Sequence, residues 1–220
     1  WNNLVAVLMG DYLFAKAFGL LVKANLPGLL ASFSKATERV SIGELNQVFY
    51  TGNFDIAEDT YLNIISDKTA SLFACSAEAG AICSGQNGNV LSGLREYGEN
   101  IGMAFQITDD LLDLIGDTRK TGKSLGLDIR EGWVTLPLIY AMRNGNSHAK
   151  NRFKGILGDS ANNDISEIVQ FVRDNGGIDY AEQKARGFVE KAITIVRSIN
   201  DLPMKRSLEE LATLAAIRDR

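Results

Sequence analysis

The chain has 220 residues, of which 45% are hydrophobic and 23% charged, and a net charge of −4. This is the composition of an ordinary globular protein long enough for one core, so a single domain over 1–220 is the expectation. The acidic balance excludes a sequence-blind nucleic-acid binder.

The periodicity is helical nearly throughout, and no run alternates between turn residues as a strand would. Helices are expected at 3–25, 27–39, 42–52, 58–84, 89–116, 134–144, 147–157, 164–175, 178–200 and 204–218. Pro27, Pro137 and Pro203 each fall where a first helical turn tolerates proline. Ser41 with Glu44, Asp164 with Glu167, and Ser207 with Glu210 have the spacing of a capping box. Gly52, Gly116, Gly158 and the Gly176-Gly177 pair mark helix ends. The longest irregular segment is 117–132, rich in charge and glycine.

Asp11, Lys16 and Lys23 interrupt the first apolar run, and Glu78 interrupts a later run of small residues. No membrane span and no signal peptide are therefore expected. Cys75 and Cys83 would lie about 12 Å apart along one helix, too far to bridge. Both are expected to be reduced, buried and structural, which fits a cytoplasmic protein. The single histidine, His148, sits in a polar, turn-like stretch, so histidine catalysis is not expected. The small residues of 74–85, with Gly93, Gly98 and Gly102, permit a close helix contact, either inside the core or across a homodimer interface.

The chemistry concentrates in Phe105-Gln106-Ile107-Thr108-Asp109-Asp110-Leu111-Leu112-Asp113. On a helix, Asp109, Asp110 and Asp113 fall within one turn of each other, with Gln106 a turn earlier. Each like-charge pair at such spacing opposes an isolated helix by roughly 0.2–0.5 kcal/mol. No Lys or Arg lies within a turn to relieve it, while Ile107, Leu111 and Leu114 supply an apolar face. The ordinary alternative is a solvated acidic face. The functional reading is a site for a hard cation, and hard oxygen donors without His or Cys point to Mg²⁺.

Downstream, Gly122-Lys123-Ser124 superficially suggests a P-loop. Gly116 lies six residues before Gly122, however, where that motif needs five, and a helix rather than a strand precedes it. Lys123 can instead swing back over the carboxylates, so that Mg²⁺ and an ammonium clamp a diphosphate. Lys68 and Thr69 are polar residues among Ile64, Ile65, Leu72 and Phe73 on the 58–84 helix. Taken alone they are either a helix-surface pair or part of the same site.

In this order the pieces resemble the trans-isoprenyl diphosphate synthases, most of all those making longer polyprenyl chains such as octaprenyl diphosphate synthases. The matching segments are 6–13, 43–47, 68–73, 105–113, Gly122-Lys123 with Gly126-Leu127-Asp128, and Glu131-Gly132 followed by Thr135-Leu136-Pro137. The resemblance implies an all-α bundle of the isoprenoid synthase type around a central apolar cavity, usually a homodimer. It implies a Mg²⁺-dependent prenyltransferase that condenses an allylic prenyl diphosphate with isopentenyl diphosphate. Asp109, Asp110 and Asp113 match the second aspartate-rich motif, Asp109 being the best candidate for a direct metal ligand. Lys68 and Lys123 match diphosphate-binding lysines. The Lys68 carbonyl, Thr69 and Gln106 match groups that turn negative dipoles toward an allylic cation.

Two departures accompany the resemblance. The family's earlier aspartate-rich motif has no counterpart in these residues, and Trp1 aligns just after it. The expectation is therefore the C-terminal portion of the fold, not competent for elongation alone. Second, the family's Glu-Gly-Lys reads Glu131-Gly132-Trp133, and tryptophan offers one N–H but no cation. The alternatives are a noncatalytic regulatory partner of a prenyl synthase and a terpene cyclase.

Overall fold

The computed structural model describes residues 2–116, 125–145, 165–200 and 202–216. Among these the regular elements are helices in the order α1 (Asn3–Ala24), α2 (Pro27–Phe49), α3 (Glu58–Ile65), a π-turn (Ser66–Ala70), α4 (Ser71–Cys83), α5 (Gly88–Ile115), α6 (Leu127–Arg130), α7 (Leu136–Asn144), α8 (Ile165–Asp174), α9 (Gly177–Ser198) and α10 (Lys205–Ala216).

The 28-residue α5 is the hub. Its apolar stripe is what the spacing predicts: Ile107, Leu111 and Leu114 are buried. They pack with Ile64 and Ile65 of α3, Leu136 and Ile139 of α7, and Ile168 of α8 in one core. Burying a side chain such as Ile107 stabilises by roughly 1.5–3 kcal/mol. Nearer its start, Tyr97, Ile101 and Ala104 meet Ala192 and Val196 of α9 and Ala212 of α10. Close approach on the α4 side needs glycine, because a Cβ at Gly102 would strike Ala70 and one at Gly98 would strike the Phe73 backbone. Gly98 and Gly102 thus serve packing within the chain, whereas Gly80 of α4 faces open space.

Several expectations change. The proposed break between 39 and 42 does not exist: α2 runs through it, and the Ser41 hydroxyl donates to the Thr37 carbonyl at 3.0 Å instead of capping. Hydroxyl back-bonding of this kind competes with a cap at any helical serine. The expected 58–84 helix is continuous but contains the π-turn at its middle. Within 125–132 the chain makes the short α6. Cys83 is exposed, not buried, because α4 ends there, whereas Cys75 is buried; both are free thiols. The expected 147–157 helix and the Asp164–Glu167 capping pair lie on or against residues outside those described.

Among the described residues, α1 buries none of its own and packs on α2. Leu4, Leu8, Leu13 and Leu20 are all exposed. By length and composition it is apolar enough to cross a bilayer, so Asp11, Lys16 and Lys23 interrupt it less than the sequence reading supposed.

Candidate active site

The acidic stretch occupies the last turns of α5, and the structure separates its three aspartates. Asp109 is exposed. Asp110 is 5% exposed and points into the core. The Tyr61 hydroxyl donates to its Oδ2 at 2.6 Å and the Gln106 amide to its Oδ1 at 2.8 Å. Burial, followed by the charge of Asp128, pushes this carboxyl up to about 8, while the Tyr61 and Gln106 hydrogen bonds pull the other way. Tyr61, buried beside that carboxyl, is held well above the ordinary phenol value and stays a donor. Gln106 in turn accepts from the Thr69 hydroxyl at 2.7 Å. Thr69, Gln106, Asp110 and Tyr61 are thus one hydrogen-bonded chain. The sequence offered Asp110 as a third metal ligand; here both of its oxygens accept hydrogen bonds, from Tyr61 and Gln106.

Asp113 has a different task. Its Oδ1 and Oδ2 accept the backbone N–H groups of Leu127 and Asp128 at 3.1 and 3.2 Å, and its carbonyl accepts that of Gly126 at 2.8 Å. A carboxylate suits the unsatisfied N–H groups of a helix start. These bonds bring α6 back to the end of α5 and set Asp128 beside the cluster. Burial, then Asp113, Asp109 and Glu131, push the Asp128 carboxyl up to about 6, and Lys68 opposes them. Asp128 is therefore a member of the acidic group that sequence reasoning missed. Its signal was the Gly126-Leu127-Asp128 segment, read only as a family match. Among the described residues, no group of three or more His, Cys, Asp or Glu side chains is placed to hold a metal ion.

Lys68 and Thr69 lie on the π-turn, and such turns are frequent at functional sites. The turn is clamped from α2: Arg39 binds Asp67 at 2.7 Å, Glu99 at 2.8 Å and the Ser66 hydroxyl at 2.7 Å. Gly43 lets α2 come this close, since a Cβ there would collide with the Lys68 backbone. The Lys68 ammonium donates to Gln47 Oε1 at 2.7 Å, lies 3.4 Å from Glu44, and stands 4.8 Å from the centroid of the Trp133 ring. Gln47 also went unassigned in the sequence, although its segment was singled out. Lys123 lies outside the described residues.

An apolar groove begins beside this polar group. Phe73, one turn after Thr69, packs on Phe105 with ring centroids 5.1 Å apart. Both line a cavity of about 420 Å³ with Tyr97, Ile101 and Leu208. It is continued by one of about 760 Å³ that shares Ser76, Ala77 and Leu208 and runs toward Leu94 and Met204.

Comparison with known proteins bears on this arrangement. The sequence profile described as "Polyprenyl synthetase" matches residues 1–174. The chain is 35% identical over 218 residues to the all-trans-nonaprenyl-diphosphate synthase (geranyl-diphosphate specific) of Rhodobacter capsulatus, covering 99% of this chain and 67% of that one. It is 31% identical over 221 residues to the octaprenyl diphosphate synthase of Escherichia coli (strain K12), covering 100% and 68%. Among solved structures, the polyprenyl synthase from Caulobacter crescentus CB15, complexed with calcium and isoprenyl diphosphate, has a TM-score of 0.93 at 33% identity, over 100% of this chain and 68% of that one. The chain thus spans about two thirds of the length of such relatives. With the helical architecture shared along its whole length, it belongs to the polyprenyl synthetase family, whose members are trans-prenyltransferases that elongate prenyl diphosphates.

Proposed function

We propose that this chain carries the leaving-group half of a Mg²⁺-dependent prenyltransferase site that joins an allylic prenyl diphosphate to isopentenyl diphosphate. The observation that supports it most is the junction of α5 and α6, where Asp113 accepts the N–H groups that begin α6 and so sets Asp128 beside the acidic end of α5. The hard oxygens of Asp109 and Asp128 suit a hard divalent cation, while both oxygens of Asp113 accept N–H groups of α6. No group of three described side chains is placed to hold an ion by itself, so a divalent cation here would depend on substrate oxygens for the rest of its coordination. The calcium-bound relative is consistent with a divalent ion. When bound, Mg²⁺ would neutralise charge on the departing diphosphate.

This chain's own residues do the rest. The Lys68 ammonium, and in our reading Lys123, sit toward the leaving group. The allylic C–O bond breaks with its electron pair going to the diphosphate. The double bond of isopentenyl diphosphate then forms the new C–C bond at the allylic carbon, and the resulting cation gives a proton to the departed diphosphate to restore an alkene. Thr69 has its proton engaged on Gln106, so its oxygen lone pairs remain to face positive charge. Fixed dipoles of this kind stabilise charge that develops in the transition state without reorganising. The groove starting at Phe73 and Phe105 accommodates the prenyl tail and keeps water from the cation.

We also propose a homodimer, supported by the outward apolar surface of α1. A cytoplasmic location agrees with the free thiols of Cys75 and Cys83. The test is incubation of the full natural chain with Mg²⁺, an allylic diphosphate and labelled isopentenyl diphosphate. Label extracted as a longer polyprenyl alcohol after phosphatase treatment is the expected result. No product at any allylic chain length, with the fold intact, overturns the proposal.

A further inference from the structure

Lys68 is the one cation that the described residues bring against the acidic group from the π-turn, and the manner of its holding is unusual. Its ammonium has a neutral amide at 2.7 Å, a carboxylate only at 3.4 Å, and an aromatic face at 4.8 Å. The face belongs to Trp133, which stands where the resemblance leads one to expect a second lysine. Trp133 is not loosely placed. Its backbone N–H donates to the Asp128 carbonyl at 2.8 Å, and the carbonyl of Gly132 accepts from Gly52 N–H at 2.8 Å. Gly132 takes φ +82°, a conformation open to glycine, and so turns the chain tightly between these two anchors. The segment that sets Asp128 into the acidic group therefore also delivers the indole to Lys68.

A tryptophan face attracts an ammonium through the ring quadrupole, yet offers no lone pair that an N–H must leave. A carboxylate at that position would neutralise Lys68 and compete with an incoming anion. A lysine would repel it. We infer that Trp133 is a positioning residue for Lys68: its indole face holds the ammonium beside the acidic group, oriented toward an incoming diphosphate, and keeps it there when the diphosphate binds. This inference rests on the proposed function, because the anion in question is the metal-bound diphosphate.

The experiment uses the full natural chain, with tryptophans other than Trp133 replaced by phenylalanine so that its emission reports alone. Inorganic pyrophosphate with Mg²⁺ is titrated into this chain and into its Trp133→Phe, Trp133→Leu and Lys68→Met variants, with affinity read by calorimetry. Pairing of the ammonium with an anion changes the field on the ring it faces. The emission of Trp133 should therefore shift on titration, and the shift should be absent in Lys68→Met. Trp133→Leu should weaken pyrophosphate about two- to fivefold, the equivalent of one exposed cation–π contact. Trp133→Phe, which keeps an aromatic face, should recover most of that loss. In the active enzyme, Trp133→Leu should raise KM for the allylic substrate more than it lowers kcat.

A purely structural tryptophan would alter thermal stability in both variants without the phenylalanine rescue or the Lys68-dependent shift. Equal pyrophosphate affinity in the leucine variant, or an emission shift that persists in Lys68→Met, overturns the inference and leaves the proposed function standing. Absence of pyrophosphate binding by the unsubstituted chain removes both.

Discussion

The Gln106 amide donates to Asp110 Oδ1 at 2.8 Å, one helical turn along α5. That bond turns the other end of the amide, Oε1, toward the Thr69 hydroxyl. Two neighbours in the sequence, Asp109 and Asp110, therefore do different things, and substitution should separate them. Asp109→Asn should lower kcat by about 10²-fold and raise the Mg²⁺ concentration needed for half activity, since a ligand to the ion is removed. Asp110→Ala should leave the Mg²⁺ requirement in place but strand the Tyr61 hydroxyl and the Gln106 amide, destabilising the fold by about 1–3 kcal/mol for each group left without a partner. Metal titration of activity and urea unfolding check the two halves. Similar metal dependence in both variants contradicts the assignment.

Gly43 should be as sensitive as any charged residue of the site. A Cβ there would meet the backbone and Cβ of Lys68 rather than the movable end of a side chain. Gly43→Ala must then push α2 off the π-turn, carrying Gln47 and Arg39 with it. We expect destabilisation of about 1–3 kcal/mol, typical of overpacking, together with loss of pyrophosphate binding. Gly28→Ala in the same helix, where the added methyl meets only Ile82 at ordinary distance, should be close to neutral. Equal effects of the two substitutions on binding would contradict the role of close approach.

What the sequence made legible follows from how local each signal is. The apolar stripe of α5 and the acidic stretch on it depend on helical spacing alone, and both are present. The false break at Ser41 shows the limit of a local rule. A serine three residues before a glutamate looks the same whether the hydroxyl caps a new helix or bonds back to Thr37 within an old one. The π-turn was not legible, because its residues have ordinary helical propensity and the widening depends on Arg39 from another helix. Asp128 was not legible as a member of the acidic group. It is fifteen positions from Asp113 and reaches it only because Asp113 accepts the N–H groups that begin α6.

Acid should loosen the clamp on the π-turn. Burial alone would raise the Glu99 carboxyl, but hydrogen bonds from Arg39 and Ser66 and the charge of Arg39 outweigh it and hold Glu99 below its ordinary value of 4.5. A carboxyl depressed in the folded state contributes stability above the unfolded value, and that contribution is lost as pH falls through the folded one. Urea midpoints should therefore decline below about pH 4.5, and Glu99→Gln should reduce that decline while lowering stability at neutral pH. An unchanged acid slope in Glu99→Gln would assign the loss to other carboxyls.

The groove gives a prediction about product length. Ala77 and Ser76 line both of its parts, between the Phe73–Phe105 pair and the Leu94–Met204 end. If the tail grows away from Thr69 along this path, a bulky side chain at 77 stops it partway. Ala77→Phe should then shift the product distribution to shorter prenyl chains while the rate of the first condensation stays within about twofold, because the atoms that ionise the substrate are untouched. Phe105→Ala, at the mouth, should do the opposite to the first step and slow it, since water gains access to the cation. Chromatography of the dephosphorylated products reads both. Unchanged product length in Ala77→Phe, with the variant folded, would mean that the tail leaves the site along another face of α5.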